Sequence, residues 1–154
     1  MKITVLGSAN YDTFIIVERP PEMGETITTN SLHTACGGKG ANQAVSIGKL
    51  GYNVDFVGQF GNDAVKETIY NEMVNFHVNM SKVKIVEGQP TGQAFILSYH
   101  NKDNSIIVVG GANMDWSNND LHGLKESIST CKIPNFYYSK IFVTSEGNSR
   151  RNQH

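Results

Sequence analysis

The 154-residue chain is short of several things, and each shortage removes a class of protein. Its 2 cysteines, Cys36 and Cys131, are too few for a disulfide framework and suit a reducing compartment. Neither sign of charge prevails: 13 basic against 14 acidic residues leave a formal net charge of −1. A nucleic-acid binder needs a lysine- and arginine-rich face, so that partner is not expected. Long apolar runs are missing too. The longest, such as Phe14–Val17 and Ile106–Val109, fall far below the roughly 20 residues of a membrane helix. After Lys2 the apolar stretch Ile3–Leu6 stops at Gly7, too early for a secretory core. The histidines (His33, His77, His100, His122, His154) are scattered without an HxxxH pair, so no metal site is expected. A globular, cytoplasmic chain without a membrane partner is the expectation, with ample length for one core.

What is present is a change of period along the chain. Ile3–Leu6 and Val54–Val57 read as short buried strands. From Gly40 to Leu50 small and apolar residues fall at helical spacing, and Gly51 suits a C-terminal cap. Ala64–Phe76 is a second predicted helix, with Val65, Ile69, Met73 and Phe76 three or four apart. Ser117 followed by Asp120 resembles a capping box for a third, running to about Ser129, before a strand at Tyr138–Thr144. Alternation of this kind predicts a parallel α/β sheet. Stretches at 13–17, 32–36, 82–86, 93–99 and 106–109 have no helices among them, and read as a separate small sheet covering one edge of the body. Such a cover would sit over the carboxyl ends of the parallel strands, where ligands bind in α/β folds.

Two segments carry the polar chemistry. Gly37-Gly38-Lys39-Gly40-Ala41-Asn42 puts tandem glycines before a helix, bringing backbone N–H groups near a ligand, with Lys39 and Asn42 together on its first turn. It is neither a Walker A loop nor a GxGxxG fingerprint, and it also fits a plain turn into a close-packed helix. Asn10 and Asp12 follow the first strand. A carboxylate beside an amide suits sugar hydroxyls, which both donate and accept, although an Asx turn fits the same residues. Glu146 follows the last predicted strand and by itself reads as a surface acid.

Together these residues resemble the N-terminal half of the PfkB sugar kinases of ribokinase type. The match is carried by Leu6–Asp12, Pro21–Thr26, Gly37–Ala44, Val57–Asp63, Thr91–Ala94 and Gly110–Asn113, and the Gly-Gly-Lys-Gly-Ala-Asn-Gln-Ala run is highly specific. The resemblance implies a parallel αβα sandwich with a small β lid, here incomplete. It implies residues 1–146 as the N-terminal part of that domain, lid strands within about 12–36 and 82–109, and a divergent polar tail at 147–154. It assigns sugar hydroxyls to Asn10, Asp12, Gly38, Lys39, Asn42 and Glu146, and an apolar lid wall to Ala94 and Ile96. It also implies D-ribose as substrate, ATP and magnesium as cofactors of the intact enzyme, and a homo-oligomer formed through the lid.

The Gly-Ala-Gly-Asp motif that carries the family's catalytic aspartate has no counterpart here. No glutamate has asparagine three residues before it, so the family's magnesium-linked motif is absent as well. The expectation is a chain that binds sugar but is catalytically incomplete, with marginal stability because a parallel sheet needs covered neighbours. The alternatives are a non-catalytic regulatory protein pairing through the lid with a full-length kinase, or a kinase remnant for another sugar or nucleoside.

Overall fold

The computed structural model describes residues 2–117, 120 and 140–144. The body is a four-stranded sheet ordered β10-β1-β4-β6, formed by β1 (Lys2–Leu6), β4 (Val54–Val57), β6 (Val78–Asn79) and β10 (Lys140–Thr144). β1 and β4 are rich in β-branched residues, pair in parallel and are buried: Val5, Val54 and Phe56 are at most 1% exposed. Helices α1 (Lys39–Lys49) and α2 (Ala64–Asn75) complete the core, with Ala41, Ala44, Ile69 and Met73 packed against the strand residues.

α1 lies close because its inward positions are small. A Cβ on Gly40 would meet the backbone of Gly7 at 2.8 Å, and one on Gly48 would strike the Phe76 carbonyl oxygen at 1.9 Å. The helix stops at Leu50, with the Gly51 N–H donating to the Gly48 carbonyl as the predicted cap requires. α2 starts at Asp63, whose carboxylate accepts the Lys66 N–H at 3.0 Å. Of its predicted stripe, Ile69 and Met73 are fully buried, while Val65 and Phe76 are half-buried.

The second sheet is the predicted cover, ordered β3-β2-β8-β9 from β2 (Asn10–Val17), β3 (Leu32–Gly37), β8 (Gln93–Tyr99) and β9 (Asn104–Val109). β2 and β8 pair in parallel at its centre, and β3 and β9 flank them antiparallel. The structure departs from the sequence reading twice here. The 82–86 stretch does not join the lid: β7 (Lys84–Val86) pairs in parallel with β5 (Gln59–Gly61) as a two-stranded sheet. A parallel pair needs a long crossover, and α2 supplies it, so this segment closes a strand–helix–strand unit rather than a hairpin. The body sheet, moreover, is mixed. β10 runs antiparallel to β1, with Lys140 opposite Leu6 and Thr144 opposite Lys2, an arrangement an edge strand can take without a helical crossover. The predicted capping box is formed: the Ser117 N–H donates to Asp120 at 2.9 Å and the Asp120 N–H to the Ser117 hydroxyl at 3.2 Å. The rest of that predicted helix lies outside the described residues.

Candidate functional site

The site is built where β1 gives way to β2 and β3 gives way to α1. Asn10 opens β2 opposite Gly37, the last residue of β3. Gly38 follows with φ +89°, a conformation that favours glycine. A Cβ there would meet the Ser8 carbonyl oxygen at 2.7 Å and the Asn10 nitrogen at 2.9 Å, so the glycine loop lies directly on the segment leaving β1. Lys39 and Asn42 then emerge on the first turn of α1, both exposed. The Ala41 N–H donates back to the Ser8 carbonyl at 3.1 Å, fixing the helix start to the strand exit.

Asp12 stands over this loop. A Cβ on Gly37 would fall 1.8 Å from its Oδ2, so only glycine leaves room for the carboxylate. Its Oδ1 is buried and has no hydrogen-bond partner among the described residues. Burial accordingly pushes the Asp12 carboxyl above its ordinary value. The neighbouring Cys36 thiol is pushed up to about 12, by burial first and then by Glu72 and Asp12. It is therefore a thiol at neutral pH, not a nucleophile.

On the lid, Asp12 is in register with Ala94, and Phe14 with Ile96. Residues in register share a face, so Ala94 and Ile96, 5% and 6% exposed, form an apolar surface beside the carboxylate.

Asn10, Asp12, Gly38, Lys39 and Asn42 are thus brought to one place, with Ala94 and Ile96 flanking it. Glu146 lies outside the described residues. The strand that precedes it ends at Thr144 opposite Lys2, the end of β1 remote from Gly7, so the expected parallel delivery of this strand to the site is not what the sheet does. Among the described residues no group of three histidine, cysteine or carboxylate side chains is placed to hold a metal. Magnesium would need ligands from elsewhere.

Two braces around the site went unassigned in the sequence. Asp63 does more than cap α2: its carboxylate also accepts the Thr91 N–H and hydroxyl, each at 2.7 Å, tying α2 to the turn before β8. Burial raises the Asp63 pKa, but the bonds from Thr91 and Lys66 outweigh it and hold the carboxyl below its ordinary value. Asn113, in the 3-10 turn Gly111–Met114, bonds to Ala9 and Asn10. An aspartate just before a helical run signals the first brace; nothing in spacing signals the second, which spans more than a hundred residues.

A mixed α/β body, a β lid and a glycine loop beside a carboxylate oxygen unpartnered among the described residues make up the candidate site. Comparison with known proteins makes the class specific. Residues 1–147 match the model of the pfkB family carbohydrate kinases, and the chain belongs to that family. A ribokinase of Dictyostelium discoideum is 36% identical over 131 residues, covering 85% of this chain and 41% of the relative. One from Arabidopsis thaliana is 42% identical over 116 residues, covering 73% and 30%. The Arabidopsis ribokinase solved with ribose and ATP superposes with a TM-score of 0.68 at 41% identity, covering 76% of this chain and 40% of that one. The chain therefore spans about a third to two-fifths of the length of these relatives.

Proposed function

We propose that these residues form the sugar-binding part of a ribokinase-type phosphotransferase with D-ribose as ligand. The observation that carries the reading is the Asp12 carboxylate, buried against Gly37 with Oδ1 unpartnered among the described residues. A buried acceptor without a donor costs roughly 1–3 kcal/mol, which a ligand hydroxyl would recover. The Lys39 ammonium and the Asn10 and Asn42 amides border the same loop and suit a polyol, which needs both donors and acceptors. Ala94 and Ile96 would pack against the sugar ring.

In the complete enzyme the γ-phosphoryl group of ATP would pass to the 5-hydroxyl of ribose, with magnesium balancing charge. The part of these residues is to hold and orient the sugar and to exclude water beneath the lid. Orientation alone can remove about 7–11 kcal/mol of barrier, but only when both reactants are held. The sequence has neither the catalytic aspartate motif nor the magnesium-linked one, so we take residues 1–154 alone to bind without turnover.

A second reading concerns association. β9 is exposed along its length, with Ile106, Ile107 and Val108 at 55–60%, which supports a second lid, of this chain or of a full-length kinase, as the partner covering it. No helix among the described residues is long and apolar enough to cross a membrane.

Calorimetric titration of the 154-residue chain with D-ribose, alongside an assay for ATP-dependent ribose phosphorylation, tests the main reading. Saturable binding without phosphate transfer is expected. Absence of binding would reject the sugar site, and turnover would reject incompleteness. 2-Deoxyribose and adenosine in the same titration rank the alternative ligands.

A further inference from the structure

We propose that Asn113 is a positioning residue that decides which end of the Asn10 amide faces the sugar. The inference rests on the reading of Asn10 as a sugar contact. The Ala9 N–H can only donate and the Ala9 carbonyl can only accept. The Asn113 side chain meets both: its Oδ1 accepts from the Ala9 N–H at 3.2 Å, and its Nδ2 donates to the Ala9 carbonyl at 3.1 Å. These two bonds leave the Asn113 amide one orientation.

The second hydrogen on Asn113 Nδ2 then points to Asn10, 2.9 Å away. The atom receiving it has to be an acceptor, and it is Oδ1, because the Asn10 nitrogen there would set two donors face to face. Asn10 therefore offers its Nδ2, a donor, to a ligand, while Asp12 offers an acceptor. The site is polarised to take one sugar hydroxyl through its oxygen lone pair and another through its proton.

The surroundings hold Asn113 to this task. The Ala112 N–H donates to the Pro90 carbonyl at 2.8 Å, and the Trp116 indole N–H to the Asn113 carbonyl at 3.1 Å, so the turn is anchored on both sides. Gly92 lies beneath the amide pair. A Cβ there would come within 2.0 Å of Asn113 Nδ2 and 2.6 Å of Asn10 Oδ1, so any other residue would force the pair apart. Polarity fixed by a backbone peptide is in this way relayed through one side chain to the ligand-facing group.

The test has a sugar-free arm and a sugar arm, both on the full 154-residue chain. In the first, hydrogen exchange of the Asn113 side-chain amide is followed by NMR in the ¹⁵N-labelled wild type. Exchange at least about 10-fold slower than in a free asparagine is expected, and the free-amide rate would overturn the proposal. In the second, D-ribose affinities are measured for Asn10→Ala, Asn113→Asp and the double variant, each checked for wild-type circular dichroism. Asn113→Asp keeps the acceptor for the Ala9 N–H but loses the donors to the Ala9 carbonyl and to Asn10. Each single change is expected to weaken binding about 10-fold or more, and the double no further than the worse single. Additive losses, or an Asn113→Asp chain that binds like wild type, would overturn the proposal. Should the wild type itself ignore ribose, the sugar reading fails, and the exchange rate still decides whether the Asn113 amide is held by the Ala9 carbonyl and Asn10.

Discussion

Val54–Val57 and Ile106–Val109 are strands of similar apolar character with opposite fates. In β4 the residues Val54, Phe56 and Val57 are at most 2% exposed. In β9 the residues Ile106 to Val109 are 40–60% exposed, on both faces of an edge strand. The difference is position. β4 is an inner strand of the body, with β1 and β6 beside it and α1 packed on it, whereas β9 closes the lid sheet with one neighbour. Apolar sequence in the body builds the chain's own core; in β9 of the lid it stays exposed.

The contrast can be broken most sharply by truncation. Phe56→Ala is expected to cost about 3–5 kcal/mol of folding stability, against less than about 0.5 for Ile107→Ala, measured by urea unfolding of dilute protein. Equal costs would mean that the lid is as well packed as the body. The site lies between the two regions, and Asp12→Asn separates binding from folding. Ribose affinity is expected to fall about 10–100-fold, the worth of a hydrogen bond to a charged group. The melting midpoint of the sugar-free chain is expected to rise. Because burial raises the Asp12 pKa above its unfolded value, the charged carboxyl costs stability at neutral pH, and the amide removes that cost.

Asp63→Ala unties body from lid. It removes a helix cap and leaves Thr91 short of its acceptor, for a loss of about 1–2 kcal/mol. Slower-exchanging amides of β8 should lose protection along with those at the start of α2. A smaller effect is expected from acid. Asp120, hydrogen-bonded by Lys84 and Ser117, has its carboxyl held at about 2 against an ordinary 3.8. Its stabilising contribution is present above 3.8 and fades as pH falls toward about 2, and Asp63 acts in the same direction. Lys84→Met is expected to flatten that part of the pH–stability curve; an unchanged curve would show that this ion pair contributes nothing.

Much of the body was legible in the sequence because local and global signals agree there. The β-branched run at Ile3–Leu6, the small-residue face of α1 and the apolar stripe of α2 each specify their element without distant help. Val54–Val57 is a strand over the same residues in sequence and in structure. Strand partners were harder to read. Lys84–Val86 looks like a lid strand in sequence, and only its parallel pairing with Gln59–Gly61 moves it to the body side. The direction of Lys140–Thr144 is likewise a matter of sheet assembly, to which periodicity is blind. In the site, Asn10, Asp12 and the glycine loop were recognisable as residue types suited to hydroxyls at strand and helix ends. Asn113 was visible only as part of a motif, since its bonds to Ala9 and Asn10 depend on the turn after β9 folding back across the site.

The most direct test of the central claim is the titration of the Asp12 carboxyl itself, followed by ¹³C NMR with and without D-ribose. An elevated pKa in the free chain that drops when ribose is added is expected, because a hydroxyl donating to the ionised carboxylate favours its charged form. An Asp12 that titrates as an ordinary surface carboxyl, unmoved by saturating ribose, would contradict it.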